Sequence, residues 1–193
     1  MANKGKGIRN IDDSKLFQIR CLAQGLTKEE QQGKGIDVET VYYSKDVDTN
    51  GNIKSDAMKY FVFEYLKCQS ELVTPWTSNP NRYKPNWRKF YTLYVLTTKI
   101  GGQLVLVNYS DGQYQNGDAV PEEYKNQVKV MYVSHIDKTV LDRLSVMSNE
   151  ELKTNKEQYI FFSEVKEMTF EEYAKWLIQM NSNCDLPPWV SGK

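Results

Sequence analysis

Histidine is almost missing from this chain. Only His135 occurs, so spacing suggests neither a paired-histidine zinc site nor a Cys–His protease. Cysteine is scarce too. Cys21, Cys68 and Cys184 are an odd number with no metal-type spacing, which reads as reduced, partly buried thiols of an intracellular protein. Net charge is lacking: Lys+Arg and Asp+Glu stand at 25 each. That excludes a basic coat over the whole molecule and leaves room only for a local patch. No apolar run approaches a membrane span. The start, MANKGKGIRN, has no apolar stretch of the signal-peptide kind. A cytoplasmic location without membrane contact is expected, in a host cell if the protein is viral. A phosphate-binding Gly-rich loop, a nucleophile elbow and a dinucleotide fingerprint are absent as well.

Aromatic residues are plentiful. The 193 residues include 13 Tyr, 7 Phe and 4 Trp, a bias towards strands and half-buried contact surfaces. One stretch sets the central question. AMKYFVFEYLKC, at 57–68, is an apolar-aromatic run that carries Glu64 and Lys67, and a charge in a buried element must be paired, neutralised or used.

Residues 1–10 are Gly/Lys-rich and read as an arm. Leu16, Ile19, Leu22, Ala23 and Leu26 predict an amphipathic helix over 14–26. Alternation predicts strands at 36–44 and about 58–68, with Asn50-Gly51 suiting the hairpin between them. The Pro-rich segment 69–86 is long enough to suggest a functional loop. Residues 87–99 read two ways. Their β-branched and aromatic content favours a strand forming a hairpin with 103–109, whereas Trp87, Tyr91, Tyr94, Val95 and Thr98 fall on a helical stripe. Further strands are expected at 103–109, 128–136 and 158–165. Asp137 offers a cap for a helix carrying Val140, Leu141, Leu144 and Met147. Thr169 with Glu172 forms a capping box for a helix carrying Phe170, Tyr173, Trp176, Leu177 and Met180. The expected fold is α+β. A single domain over 11–182 would hold a mixed, largely antiparallel sheet flanked by an N-terminal and a C-terminal helix, followed by a tail at 183–193.

Three constellations carry candidate chemistry. Asp37 and Glu64 lie on adjacent predicted strands and could share a hard cation such as Mg²⁺. A nearby lysine would assist a nucleophilic water or stabilise phosphate charge. The residues GID at 35–37 and EYLK at 64–67, preceded by helix 14–26, resemble the PD-(D/E)xK restriction-endonuclease-like superfamily. The resemblance implies a core of helix, three strands, helix and strand, with a helix at about 88–99. It implies a Mg²⁺-dependent phosphodiesterase whose site is Asp37, Glu64 and Lys67. Ile36 stands where the motif has proline. Lys67 follows Glu64 by three residues rather than two, which on an ideal strand aims the two at opposite faces unless a bulge intervenes. The alternative is a sheet strand in which Glu64 pairs with a neighbour and Lys67 snorkels to water.

DVDTNGNI at 46–53 resembles the first eight positions of an EF-hand-type calcium loop, with Asp46, Asp48 and Asn50 at ligand positions. Ala57 stands where the closing glutamate belongs, and a hairpin turn is the competing reading. In NPNRYKPNWRKFY at 79–91, the residues Arg82, Tyr83, Lys84, Trp87, Arg88 and Lys89 interleave cations with aromatic rings. That composition suits single-stranded nucleic acid or a protein partner. Two function classes follow: a metal-dependent nuclease, or a non-catalytic binding or assembly protein such as a phage or mobile-element accessory.

Overall fold

The computed structural model describes residues 40–185. Contacts divide the chain between Ile36 and Asp37, and every described residue falls in the second unit. The helix expected at 14–26, and with it Asp37 and Cys21, lies outside the described residues.

The class is α+β. Five strands stand side by side in sequence order: β1 (Thr40–Val47), β2 (Ile53–Lys67), β3 (Gln103–Tyr109), β4 (Gln127–Ile136) and β5 (Ile160–Thr169). Three neighbouring pairs are antiparallel and β2 with β3 is parallel. Of the strand expected at 36–44, residues 40–44 are described and lie in β1, which continues to Val47, and β2 begins five residues earlier than the pattern suggests. Only Asp48 to Asn52 is left as the turn, closed by Asp48–Asn52 and Gly51–Asp48 backbone bonds.

A parallel pair cannot be joined by a hairpin and needs a crossover. The crossover is α1 (Trp87–Lys99), which decides the ambiguous segment in favour of helix. Its β-branched threonines are accommodated by back-bonding. Thr97 Oγ1 donates to Leu93 O and Thr98 Oγ1 to Tyr94 O, so both hydroxyls are satisfied within the helix. The helix ends at Gly101, whose φ of +67° only glycine adopts readily. No hairpin forms between 90–99 and 103–109.

The sheet is covered on both faces. Phe61, Phe63, Val105, Val107, Val130 and Tyr132 form one face, under Tyr173, Trp176 and Met180 of α5 (Phe170–Ser182). The Thr169–Glu172 capping box starts α5 as expected. The alternate residues of β2 and β3 face α1, which buries Phe90, Leu93 and Thr97. Among the described residues three short α-helices complete the fold: α2 (Glu122–Lys125), α3 (Lys138–Leu144), capped by Asp137, and α4 (Asn149–Thr154). Among the described residues no helix is long and apolar enough to cross a membrane.

The β1–β2 turn is clasped onto distant elements. Thr49 N–H donates to Glu164 on β5, Trp176 Nε1 to Asp48 O, Gln179 Nε2 to Gly51 O, and Tyr132 OH to Val47 O. The clasp keeps the tip of a 15-residue β2 in place where β3 no longer accompanies it.

Candidate functional site

Glu64 sits on β2 opposite Leu106 of β3, and the pleat turns it towards α1 between Val62 and Leu66. It is 3% exposed. A carboxylate there needs a counter-charge, and Lys89 supplies one from the first turn of α1. Its ammonium lies 2.6 Å from Glu64 Oε1, with the Lys89 side chain 35% exposed. The lysine reaches inward from a half-open position, so the pair lies at the boundary between sheet and solvent.

Lys67 is not part of that pair. The β2–β3 register runs unbroken from Phe61↔Gln103 to Lys67↔Tyr109. The register shifts of β2 against β1 fall between Lys45 and Val47, far from Glu64. Without a bulge the strand period of two aims Lys67 at the other face. The same-site pairing of Glu64 with Lys67 that the resemblance implies is therefore corrected: Lys89 holds that place. Lys67 instead lines a cleft of about 450 Å³ with Gln69, Ser70, Tyr83, Asn86 and Gln115, and no carboxylate is among its walls.

The aromatic-basic segment divides in two. Asn79 caps the 3₁₀ turn Pro80–Arg82 by accepting from Asn81 N–H. Asn81 then crosses to β5: its Oδ1 accepts from Tyr159 and Ile160 N–H, and its Nδ2 donates to Ile160 O. This anchor forces Lys84 inward. Lys84 is 1% exposed; its ammonium donates to Asn81 O and Glu157 O and stands 5.2 Å from the centroid of the Tyr159 ring. Burial pushes its pKa down, opposed by Glu157. Lys84 is thus a structural cation, contrary to the expectation that it contacts a partner. Arg82 and Arg88 are exposed, and Tyr83 and Trp87 are half-buried. The Arg88 guanidinium stands 5.3 Å from the Trp87 ring centroid, and the Tyr83 hydroxyl shares a hydrogen bond with Ser78.

The calcium-like run is the hairpin turn. Asp48 accepts from the N–H groups of Asn50 and Asn52 at 2.7 and 2.9 Å. Burial acts to raise its pKa, yet the bonds from Asn52 and Asn50 hold it below the usual value. Asp46 pairs with Lys59 and Asn50 Oδ1 with Lys166, each at 2.5 Å. Lysines hold Asp46 Oδ1 and Asn50 Oδ1, and backbone and side-chain amides of the turn hold Asp48.

Among the described residues no group of three or more His, Cys, Asp or Glu side chains is placed to hold a metal ion. Glu64 brings one carboxylate. The second carboxylate of the expected site, Asp37, lies outside the described residues. Sequence reasoning missed the role of Lys89. Read as a helix, 87–99 puts Lys89 in the first turn, close to the end of β2, and that was the available signal.

Comparison with known proteins gives no match to this chain from any family model, curated protein or solved structure.

Proposed function

We propose that this chain is a metal-dependent nuclease-like protein acting on nucleic-acid phosphodiesters. The observation that carries the reading is the Glu64–Lys89 pair: a buried carboxylate on the second strand, joined to an ammonium from the helix that follows it. Isolated buried ion pairs are weak stabilisers, and hydrophobic replacements often do as well. A carboxylate and an ammonium held together at the solvent boundary therefore favour a chemical role. The strand that carries Glu64 is followed by a helix and a strand, as at the end of the core that the resemblance implies, although two described strands rather than three precede that helix.

Mg²⁺ takes one or two protein carboxylates, with water and phosphate oxygens completing its shell. Glu64 fits as one ligand, and Asp37 is the partner this reading requires. Such an ion supplies an activated water and charge stabilisation at the phosphorus. Lys89 orients the attacking water through its ammonium protons and, in the transition state, meets the charge growing on the phosphate oxygens. Arg82 and Arg88 hold the backbone phosphates of the substrate.

The test is incubation of the full chain with single- and double-stranded DNA and RNA in Mg²⁺ or Mn²⁺. Cleavage is expected. It should disappear in Glu64→Gln and in Asp37→Asn, with each variant shown to be folded by circular dichroism. Intact nucleic acid with both metals, or full activity in folded Glu64→Gln, overturns the proposal.

A second reading is favoured by the Arg88–Trp87 stack, a guanidinium laid on a half-exposed ring. On that reading the chain binds single-stranded nucleic acid without cleaving it. Arg88→Ala should then weaken binding and flatten its salt dependence, and added metal should change nothing.

A further inference from the structure

On the face of the sheet away from Glu64, a second and larger cavity opens between the ends of β2 and β3 and the start of α5. Its volume is about 840 Å³, within the range of small-molecule sites. Four aromatic rings line it: Tyr65, Tyr109, Phe170 and Tyr173. Val107 and Val128 contribute an apolar floor.

The rings are fixed. Tyr65 and Tyr109 meet edge-to-face, with centroids 6.2 Å apart at 85°. The Tyr65 and Tyr173 hydroxyls share a hydrogen bond of 2.9 Å. Burial and the neighbouring Tyr65 push the Tyr173 phenol up, so that ring stays neutral. Phe170 is held through its backbone N–H, which donates to the carbonyl and side-chain oxygens of Asn126, yet its side chain is 61% exposed. Its ring stands at the cavity mouth beside the three tyrosines.

The charges of the wall point one way. Asp111, Glu122 and Glu123 line the cavity with a single cation, Lys125. Lys125 is taken by Glu122 at 2.5 Å. Asp111 and Glu123 have no ion-pair partner among the described residues. Aromatic faces attract cations through the ring quadrupole, and uncompensated carboxylates add to that attraction. An anion or a nucleic-acid phosphate would be repelled here.

We infer that this cavity binds a small organic cation, an alkylated ammonium carrying an apolar arm. The positive head lies against Tyr65, Tyr109, Tyr173 and Phe170, and Asp111 and Glu123 supply the counter-charge. The site stands apart from Glu64 and Lys89, so it holds or fails independently of the nuclease reading.

The test uses a matched pair of probes on the full chain: acetylcholine and its uncharged isostere 3,3-dimethylbutyl acetate. Binding is followed by ligand-observed NMR titration. The cation should bind about tenfold more tightly than the isostere, and Phe170→Ala and Glu123→Gln should each weaken it by roughly three- to tenfold. Both positions are exposed, so neither variant threatens the fold. Equal binding of the two probes, binding of neither, or a cation affinity unchanged in both variants overturns the inference. A lysine-rich peptide that binds where acetylcholine does not also overturns it, in favour of a protein partner.

Discussion

Glu64 and Lys67 lie on one continuous strand and face opposite sides of the sheet. The ammonium beside Glu64 belongs to Lys89, on the helix that crosses from β2 to β3. This relationship moves the candidate chemistry from a motif within one strand to a pairing between strand and helix.

The first prediction concerns that pair. Lys89→Met removes the counter-charge of a buried carboxylate and should destabilise the chain by about 3 kcal/mol. Glu64→Gln combined with Lys89→Met should recover much of the loss, because no buried charge remains. Urea unfolding of both single variants and the double variant gives the coupling. Additive losses would show that the two groups do not act as a unit.

Asn81 carries the second. Its side chain makes three hydrogen bonds to the start of β5, all buried. Asn81→Ala leaves two N–H groups and a carbonyl without their partner. A loss of about 3 kcal/mol is expected, read as a lowered thermal midpoint. Arg82→Ala, one residue on and exposed, should shift the midpoint little.

Gly51 gives a prediction in two steps. Its φ is +83°, and an added Cβ would stand 2.5 Å from Gln179 Oε1. Gly51→Ala should destabilise by about 1–2 kcal/mol for the left-handed backbone, with a further loss as Gln179 moves off Gly51 O. Adding Gln179→Ala removes the clash and leaves the backbone penalty. The double variant should therefore stay less stable than Gln179→Ala alone, by chemical denaturation.

Acid should loosen the hairpin clasp. Burial acts to raise Glu164, but its bonds to Lys54 and to Thr49 N–H hold it below its ordinary 4.5. Asp48 is likewise held below 3.8. A carboxyl whose folded pKa is depressed contributes stability above its unfolded pKa and loses it as pH falls through the folded value. Wild type should exceed Glu164→Gln in stability at pH 7. The gap should narrow below about pH 4.5 and close in stronger acid. A gap that does not change with pH would contradict this account.

Much of the sheet was legible from local chemistry. β3 and β4 stand out as apolar runs, and Thr169, Asp137 and Asn50-Gly51 mark two caps and a turn in the positions where they occur. Residues 87–99 were ambiguous because Thr and Tyr favour strands. The deciding fact, that β2 and β3 are parallel and need a crossover, belongs to topology and not to any residue. The reversal of Lys84 was illegible for a related reason. Two of its three partners, Glu157 and Tyr159, are more than seventy residues away, and nothing in NRYKPN signals a buried cation. The pleat, by contrast, was enough to separate Glu64 from Lys67, since a period of two needs no tertiary knowledge.

The strand order carries a kinetic consequence. Each strand pairs with the next one in the chain, so no pairing waits for an intervening strand, and the costly closure is the crossover of the parallel β2–β3 pair. The clasp at the hairpin tip is different: Thr49 and Glu164 are 115 residues apart. A contact of that span forms late, once both ends of the sheet exist. Cutting it should leave the refolding limb of a chevron almost unmoved and steepen the rate of escape from the native state.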